Sequence, residues 1–210
     1  ASASQQYRWM RAGRLTSREL TEIYLKRIEA HAPMLENFVT VTPDLARAQA
    51  DEADRERAAG RVRSPLHGLP FGLKDIIDVA GLPATWGAAP YKDRIGAVDA
   101  AAYTRLREAG AVLLGKTTNG ALAYGDIWFG GKTRNPFDVR EGSSGSSAGS
   151  ASATAAPGAT TRQTARWRMR VSAFIFDPPV GFAGAAAARM APAATAGIWG
   201  SRMTPTCPPH

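Results

Sequence analysis

Nothing constrains the fold of this chain more than the break in texture after Ala156. Residues 157–210 contain no Leu, Lys, Glu, Asn or Tyr, and they hold seven of the 14 prolines. No helical or alternating hydrophobic period holds there for more than one turn, so a packed core has to come from the first 156 residues. The break also divides the charge. Six Arg against one Asp give the tail +5 of the net +8, leaving +3 for residues 1–156. The basic excess is therefore not a patch spread over a folded surface to meet an acidic partner. Arg-, Pro- and Ala-rich text without Lys or Leu is what a GC-rich gene yields when read out of frame. The expectation is a frameshifted, poorly ordered tail, with a genuine disordered segment as the alternative.

Over the whole chain, 44% hydrophobic and 21% charged residues are those of a soluble globular protein, and 210 residues suffice to bury a real core. No run approaches the roughly 18 apolar residues of a membrane span, so no membrane association is expected. His31, His67 and His210 have no second metal ligand at a suitable spacing, which gives a metal site no support. The lone Cys207 excludes an internal disulfide framework, and Ala1-Ser2-Ala3-Ser4 lacks a basic-then-apolar leader. Both fit a cytoplasmic protein. The absence of a starting Met implies a chain that begins inside a longer protein or after processing.

The folded part alternates helices with short apolar strands. Thr16 and Glu19 form a capping box for a helix over 16–30, with Leu20, Ile23, Tyr24 and Ile28 along one face. Phe38–Val41 reads as a strand. Thr42 can cap the next helix, with Pro43 at its first position and Gly60 at its end. Residues 99–109 give a helix closed by Gly110, residues 111–114 a buried strand, and residues 118–124 a helix-like segment. This order predicts an α/β fold in which a mixed β-sheet is flanked by helices.

Two segments carry chemistry. Lys74 lies among Phe71, Leu73, Ile76 and Ile77, an apolar setting that can lower an amine's pKa enough for it to act as a base. A lysine snorkelling from a strand end to water is the plainer reading. Far downstream, Gly142 to Ala153 form a Ser/Gly loop that opens into an Ala-rich, helix-prone run. Such a loop alone reads as a flexible linker, and no G-K-[ST] follows to make it a phosphate cradle. Asn135-Pro136-Phe137-Asp138 directly before it weakens the linker reading.

Taken together, these blocks resemble the amidase signature family. Gly68-Leu69-Pro70-Phe71-Gly72-Leu73-Lys74-Asp75 is similar to the block around the family's catalytic lysine. Residues 135–153 follow its order of N-P-[WF]-[DN], Ser/Gly loop and Ala helix, and residues 110–116 are similar to its "GA-[VI]-[LIV]-x-[GA]-K" strand. The resemblance covers residues 16–156, the N-terminal part of such a domain, and implies a metal-free, cofactor-free Ser-Ser-Lys hydrolase of carboxamide carbon–nitrogen bonds. It assigns Lys74 as base and Ser146 as the bridging serine with a cis peptide bond, Ser144 being the alternative registration. It also implies Thr117-Thr118-Asn119 near the substrate cleft. Trp128, Phe129, Gly130 and Gly131 border an acyl pocket or belong to the core, Lys116 is structural or at the surface, and His67 is structural.

The third catalytic member is missing. The resemblance implies a nucleophilic serine in a G-[ST]-[ED]-T-x-G-S loop about two dozen residues after Ser146, which arrives near Arg170. Ser172 lacks the glycines for that turn, and Ser201 lies too far along. The expectation is a chain that does not hydrolyse amides at a useful rate, since losing a triad nucleophile removes about 10⁶-fold of kcat. A small-molecule amide is the expected partner, and strand edges left unpaired leave self-association open. The alternatives are a non-catalytic remnant, a basic module built on the tail, and a fragment of a tRNA-dependent amidotransferase A-type subunit. Nucleic acid is not expected, because Trp167 among Arg162, Arg166, Arg168 and Arg170 stands in no recognisable fold.

Overall fold

The computed structural model describes residues 1–156; the expectations for residues 157–210, and for Arg170, Ser172 and Ser201 within them, lie outside the described residues. Around a three-stranded sheet stand α1 (Ala3–Arg11), α2 (Ser17–Leu35), α3 (Pro43–Ala58), α4 (Ala101–Glu108) and α5 (Ala148–Ala155). The sheet has the order β1 (Phe38–Val41), β3 (Val112–Thr117), β2 (Pro70–Lys74). β1 runs antiparallel and β2 parallel to the central β3, so the sheet is mixed, as the alternation predicts. Two short ribbons come after it, β4 (Ile127–Trp128) with β5 (Gly131–Lys132), and β6 (Arg134–Asn135) with β7 (Asp138–Gly142).

Every residue of β3 is buried, which is why its sequence V-L-L-G-K-T carries no outward polar alternation. Val112 and Leu114 pack with Leu25, Ala46 and Ala50 of α2 and α3. The small side chains of Ala46, Ala50 and Ala53 let α3 approach closely. Leu113 packs on the other side with Leu73, Val79 and Tyr103. A register shift between Phe71 and Gly72 gives β3 one extra residue: Phe71 pairs with Leu113, but Gly72 pairs with Gly115. Such a bulge flips the parity of the residues beyond it. Lys116 therefore joins the face of Leu113, and Thr117 turns to the opposite face.

Several boundaries differ from the sequence reading. The Thr16–Glu19 capping box forms, with Thr16 N–H donating to Glu19 Oε2 at 2.8 Å and Glu19 N–H to Thr16 Oγ1 at 3.0 Å. The helix it starts runs on to Leu35, because Pro33 removes only one backbone bond near its end and Leu35 is buried. Thr42 does not cap α3; its hydroxyl donates to the Leu113 carbonyl at 3.2 Å and ties the helix start to β3. The helix-like segment 118–124 is no α-helix. It holds a single 3-10 turn over Ala121–Ala123 in which Leu122 and Ala123 take φ of 51° and 65°.

Candidate active site

Lys74 ends β2, and the register pairs it with Thr117. Thr117 Oγ1 lies 2.8 Å from Ser150 Oγ, so this face of the sheet meets the first turns of α5. A seam of buried polar contacts fixes α5 there. Gly149 N–H donates to the Thr118 carbonyl at 2.9 Å, and Thr118 N–H donates to the Asn37 carbonyl at 3.1 Å. Ser152 Oγ donates to the Arg134 carbonyl at 2.8 Å, and Ser143 Oγ to the Ala148 carbonyl at 3.1 Å. The glycines matter at two points: a Cβ on Gly145 would collide with the Gly125 carbonyl, and one on Gly149 with the Thr118 backbone.

These constraints aim the Ser/Gly loop at the end of β2. Lys74 Nζ donates to Ser146 Oγ at 2.8 Å, joining residues 72 apart in sequence. The Gly145–Ser146 peptide is cis, and Ser144 beside it has φ 66°. Burial holds the Lys74 amine below the ordinary lysine range. A lysine so placed can exchange a proton with a hydroxyl, which a fully hydrated ammonium does poorly.

Beneath Lys74, on the other face, lies a polar cluster that sequence reasoning missed. Asp75 is fully buried; its Oδ2 accepts from Thr85 N–H at 2.9 Å and from the Thr85 hydroxyl. Its Oδ1 faces Lys116 Nζ at 3.4 Å, and Lys116 donates to the Pro83 carbonyl at 3.0 Å. Lys116 is 0% exposed, so of its two expected roles the surface one does not hold. The only sequence signal was an ionisable residue closing each of two apolar strand runs. His67 is buried with Nε2 2.9 Å from the Ala53 carbonyl, a structural setting. Trp128 and Phe129 sit edge-on at 4.9 Å on the β4–β5 ribbon, which is half-exposed to exposed and not core.

A cavity of about 410 Å³ opens between α2, β2 and α5, lined by Phe38, Phe71, Thr117, Ser150 and Thr154 among others. Neither Lys74 nor Ser146 lines it, which separates it from the amine–hydroxyl pair. Among the described residues no three His, Cys, Asp or Glu side chains converge on one point. None of their helices is long and apolar enough to cross a membrane.

Comparisons with known proteins identify the family. A family profile described as amidase matches residues 19–161. The A subunit of the glutamyl-tRNA(Gln) amidotransferase of Roseiflexus sp. (strain RS-1) is 42% identical over 147 residues, 69% of this chain and 30% of that protein. Its counterpart in Halorhodospira halophila is 42% identical over 161 residues, 74% of this chain and 33% of that protein. The peptide amidase of Stenotrophomonas maltophilia superposes with a TM-score of 0.69 at 40% identity, covering 75% of this chain and 34% of that one. The chain thus spans about a third of the length of the relatives it matches. With most of its described residues inside the matched region, the chain belongs to the amidase signature family.

Proposed function

We propose that Lys74 and Ser146 are the base and the relay serine of an amidase-type site that cleaves the carbon–nitrogen bond of carboxamides by a Ser-Ser-Lys mechanism. The observation that carries this reading is the 2.8 Å hydrogen bond between Lys74 Nζ and Ser146 Oγ at a lysine whose pKa burial lowers. In the forward step the neutral Lys74 amine takes the Ser146 hydroxyl proton as Ser146 takes one from a nucleophilic serine. The nucleophile's oxygen bonds to the amide carbon, the tetrahedral species collapses with loss of the amine, and the proton returns through Ser146 to that amine. Water then repeats the sequence on the acyl-enzyme. The nucleophile is not among the described residues, and no G-[ST]-[ED]-T-x-G-S loop occurs in the sequence. The reading therefore assigns base and relay to these residues and leaves the nucleophile to be supplied for turnover.

The test is to supply a nucleophile. Residues 1–156 joined to the remainder of the Stenotrophomonas peptide amidase should release ammonia from peptide amides. Lys74→Ala and Ser146→Ala should each lower that rate by at least about 10²-fold, the scale of a lost proton-transfer group. A folded chimera whose rate neither substitution changes would remove the proposal. A second reading has its own support in the 42% identity to the A subunits of amidotransferases. In it the site releases ammonia from glutamine in the presence of partner subunits. A chimera completed from one of those amidotransferases, active on glutamine only with its partners, would favour it over the stand-alone hydrolase.

A further inference from the structure

We propose that the buried Asp75–Lys116 pair is a positioning device for Lys74, clamping the end of β2 from the face opposite the Ser146 loop. The inference rests on the reading of Lys74 as a base. Asp75 comes directly after Lys74, and its N–H donates to the Thr117 carbonyl at 3.0 Å, which carries the ladder one residue past the strand end. Alternation then sends the two side chains to opposite faces. Lys74 reaches Ser146, while Asp75 reaches Lys116, which the register places opposite Leu73 on the far face.

The clamp is cross-tied on several sides. Thr85 holds the second Asp75 oxygen, and the Pro83 carbonyl holds Lys116, so the segment 83–85 closes over the pair. Arg94 donates to the Ala84 carbonyl at 2.9 Å, pairs with Asp78 and lies over the Trp86 ring at 4.8 Å, bracing that segment from outside. The charged groups around the clamp are thus Asp75, Lys116, Asp78 and Arg94, two of each sign. A strand end pinned this way leaves the Lys74 side chain little backbone freedom with which to swing its amine into water. With the pair gone, the strand end frays and the amine regains hydration and its proton.

The test reads the Lys74 amine directly. The pH dependence of Lys74 acylation by acetic anhydride, followed by peptide mass spectrometry, gives the amine's pKa in the full chain. The comparison is among wild type, the double variant Asp75→Asn/Lys116→Met and the core variant Leu113→Ala. The double variant keeps an acceptor for Thr85 and leaves no buried unpaired charge. Leu113→Ala controls for destabilisation alone, and circular dichroism checks that each variant folds. In the double variant the neutral fraction of Lys74 at pH 8 should fall at least tenfold, with Leu113→Ala close to wild type. A wild-type pKa below the ordinary range that the double variant leaves in place overturns the clamp and spares the base. An equal shift in Leu113→Ala overturns it too, as a general effect of loosening. A wild-type Lys74 that titrates like a free lysine overturns the base reading and the clamp with it.

Discussion

Lys74 and Lys116 stand one register apart on neighbouring strands, and they show how two similar residues acquire different fates. Burial pushes both amines below the ordinary lysine range. At Lys116 the charge and hydrogen bonding of the Asp75 carboxylate oppose that push without reversing it. Lys74 has the Ser146 hydroxyl as partner, and desolvation is the cause of its shift. One amine thus faces a buried carboxylate that offsets part of the cost of its burial. The other has a neutral hydroxyl within reach. The strand supplies the same backbone to both; the partner across the gap decides what each can do.

The comparison breaks most visibly in stability. Lys116→Met leaves Asp75 buried and uncompensated and should cost about 3–5 kcal/mol in urea unfolding. Adding Asp75→Asn should recover most of that loss, because removing both members of a buried pair is often close to neutral. Equal losses in the single and double variants would mean that Lys116 stabilises by packing rather than by charge.

Lys74→Met should behave in the opposite sense. A lysine whose folded pKa is lowered is disfavoured as the ammonium in the native state. Stability should therefore rise with pH through the window between that lowered value and the ordinary lysine pKa, where the unfolded chain holds more protons. Lys74→Met removes the disfavoured charge, so the variant should be at least as stable as wild type at pH 7, with a flatter alkaline profile. Unfolding midpoints at several pH values between about 7 and the ordinary lysine pKa of about 10.4 check this; a profile as steep as the wild type's would place the titration elsewhere.

Smaller effects sharpen the picture of the seam. Ser150→Ala leaves the Thr117 hydroxyl without its buried partner and should cost about 1–3 kcal/mol, whereas Thr117→Val with Ser150→Ala should restore part of it. At the exposed β6–β7 ribbon, Arg140 holds the Asp138 carboxyl down to about 2, yet the pair is open to solvent. Asp138→Asn should leave Tm unchanged within error at neutral pH. A clear drop would show that the ribbon is coupled to the core more tightly than its exposure suggests.

How much of this was legible in the sequence depends on distance along the chain and on backbone irregularity. The capping box at Thr16 and the apolar runs around β1 and β3 are local signals, and they placed the helices and strands of a mixed sheet. The pairing of Lys74 with Ser146 spans 72 residues and came only through the resemblance of two short blocks to a known family. Lys116 was ambiguous for a physical reason. Simple alternation puts it with Val112 and Leu114 under α2 and α3, but the extra residue at the β2–β3 register shift turns it to the Asp75 face. The first helix went unread: its buried residues are Gln6 and Met10, and its many polar residues mask the apolar face that Tyr7 and Met10 turn to Leu20 and Leu69. Residues 118–124 misled because Leu122 and Ala123 adopt positive φ, a conformation that side-chain chemistry does not advertise.

The most direct test of the central claim is the titration of Lys74 in the unaltered chain by carbon-detected NMR of ¹³C-labelled lysine. Five lysines are few enough to assign one by one with Lys→Arg variants. The account predicts a Lys74 resonance that titrates below the ordinary lysine range and moves when Ser146 is replaced by Ala. A Lys74 titrating at its ordinary value, indifferent to Ser146, would contradict it.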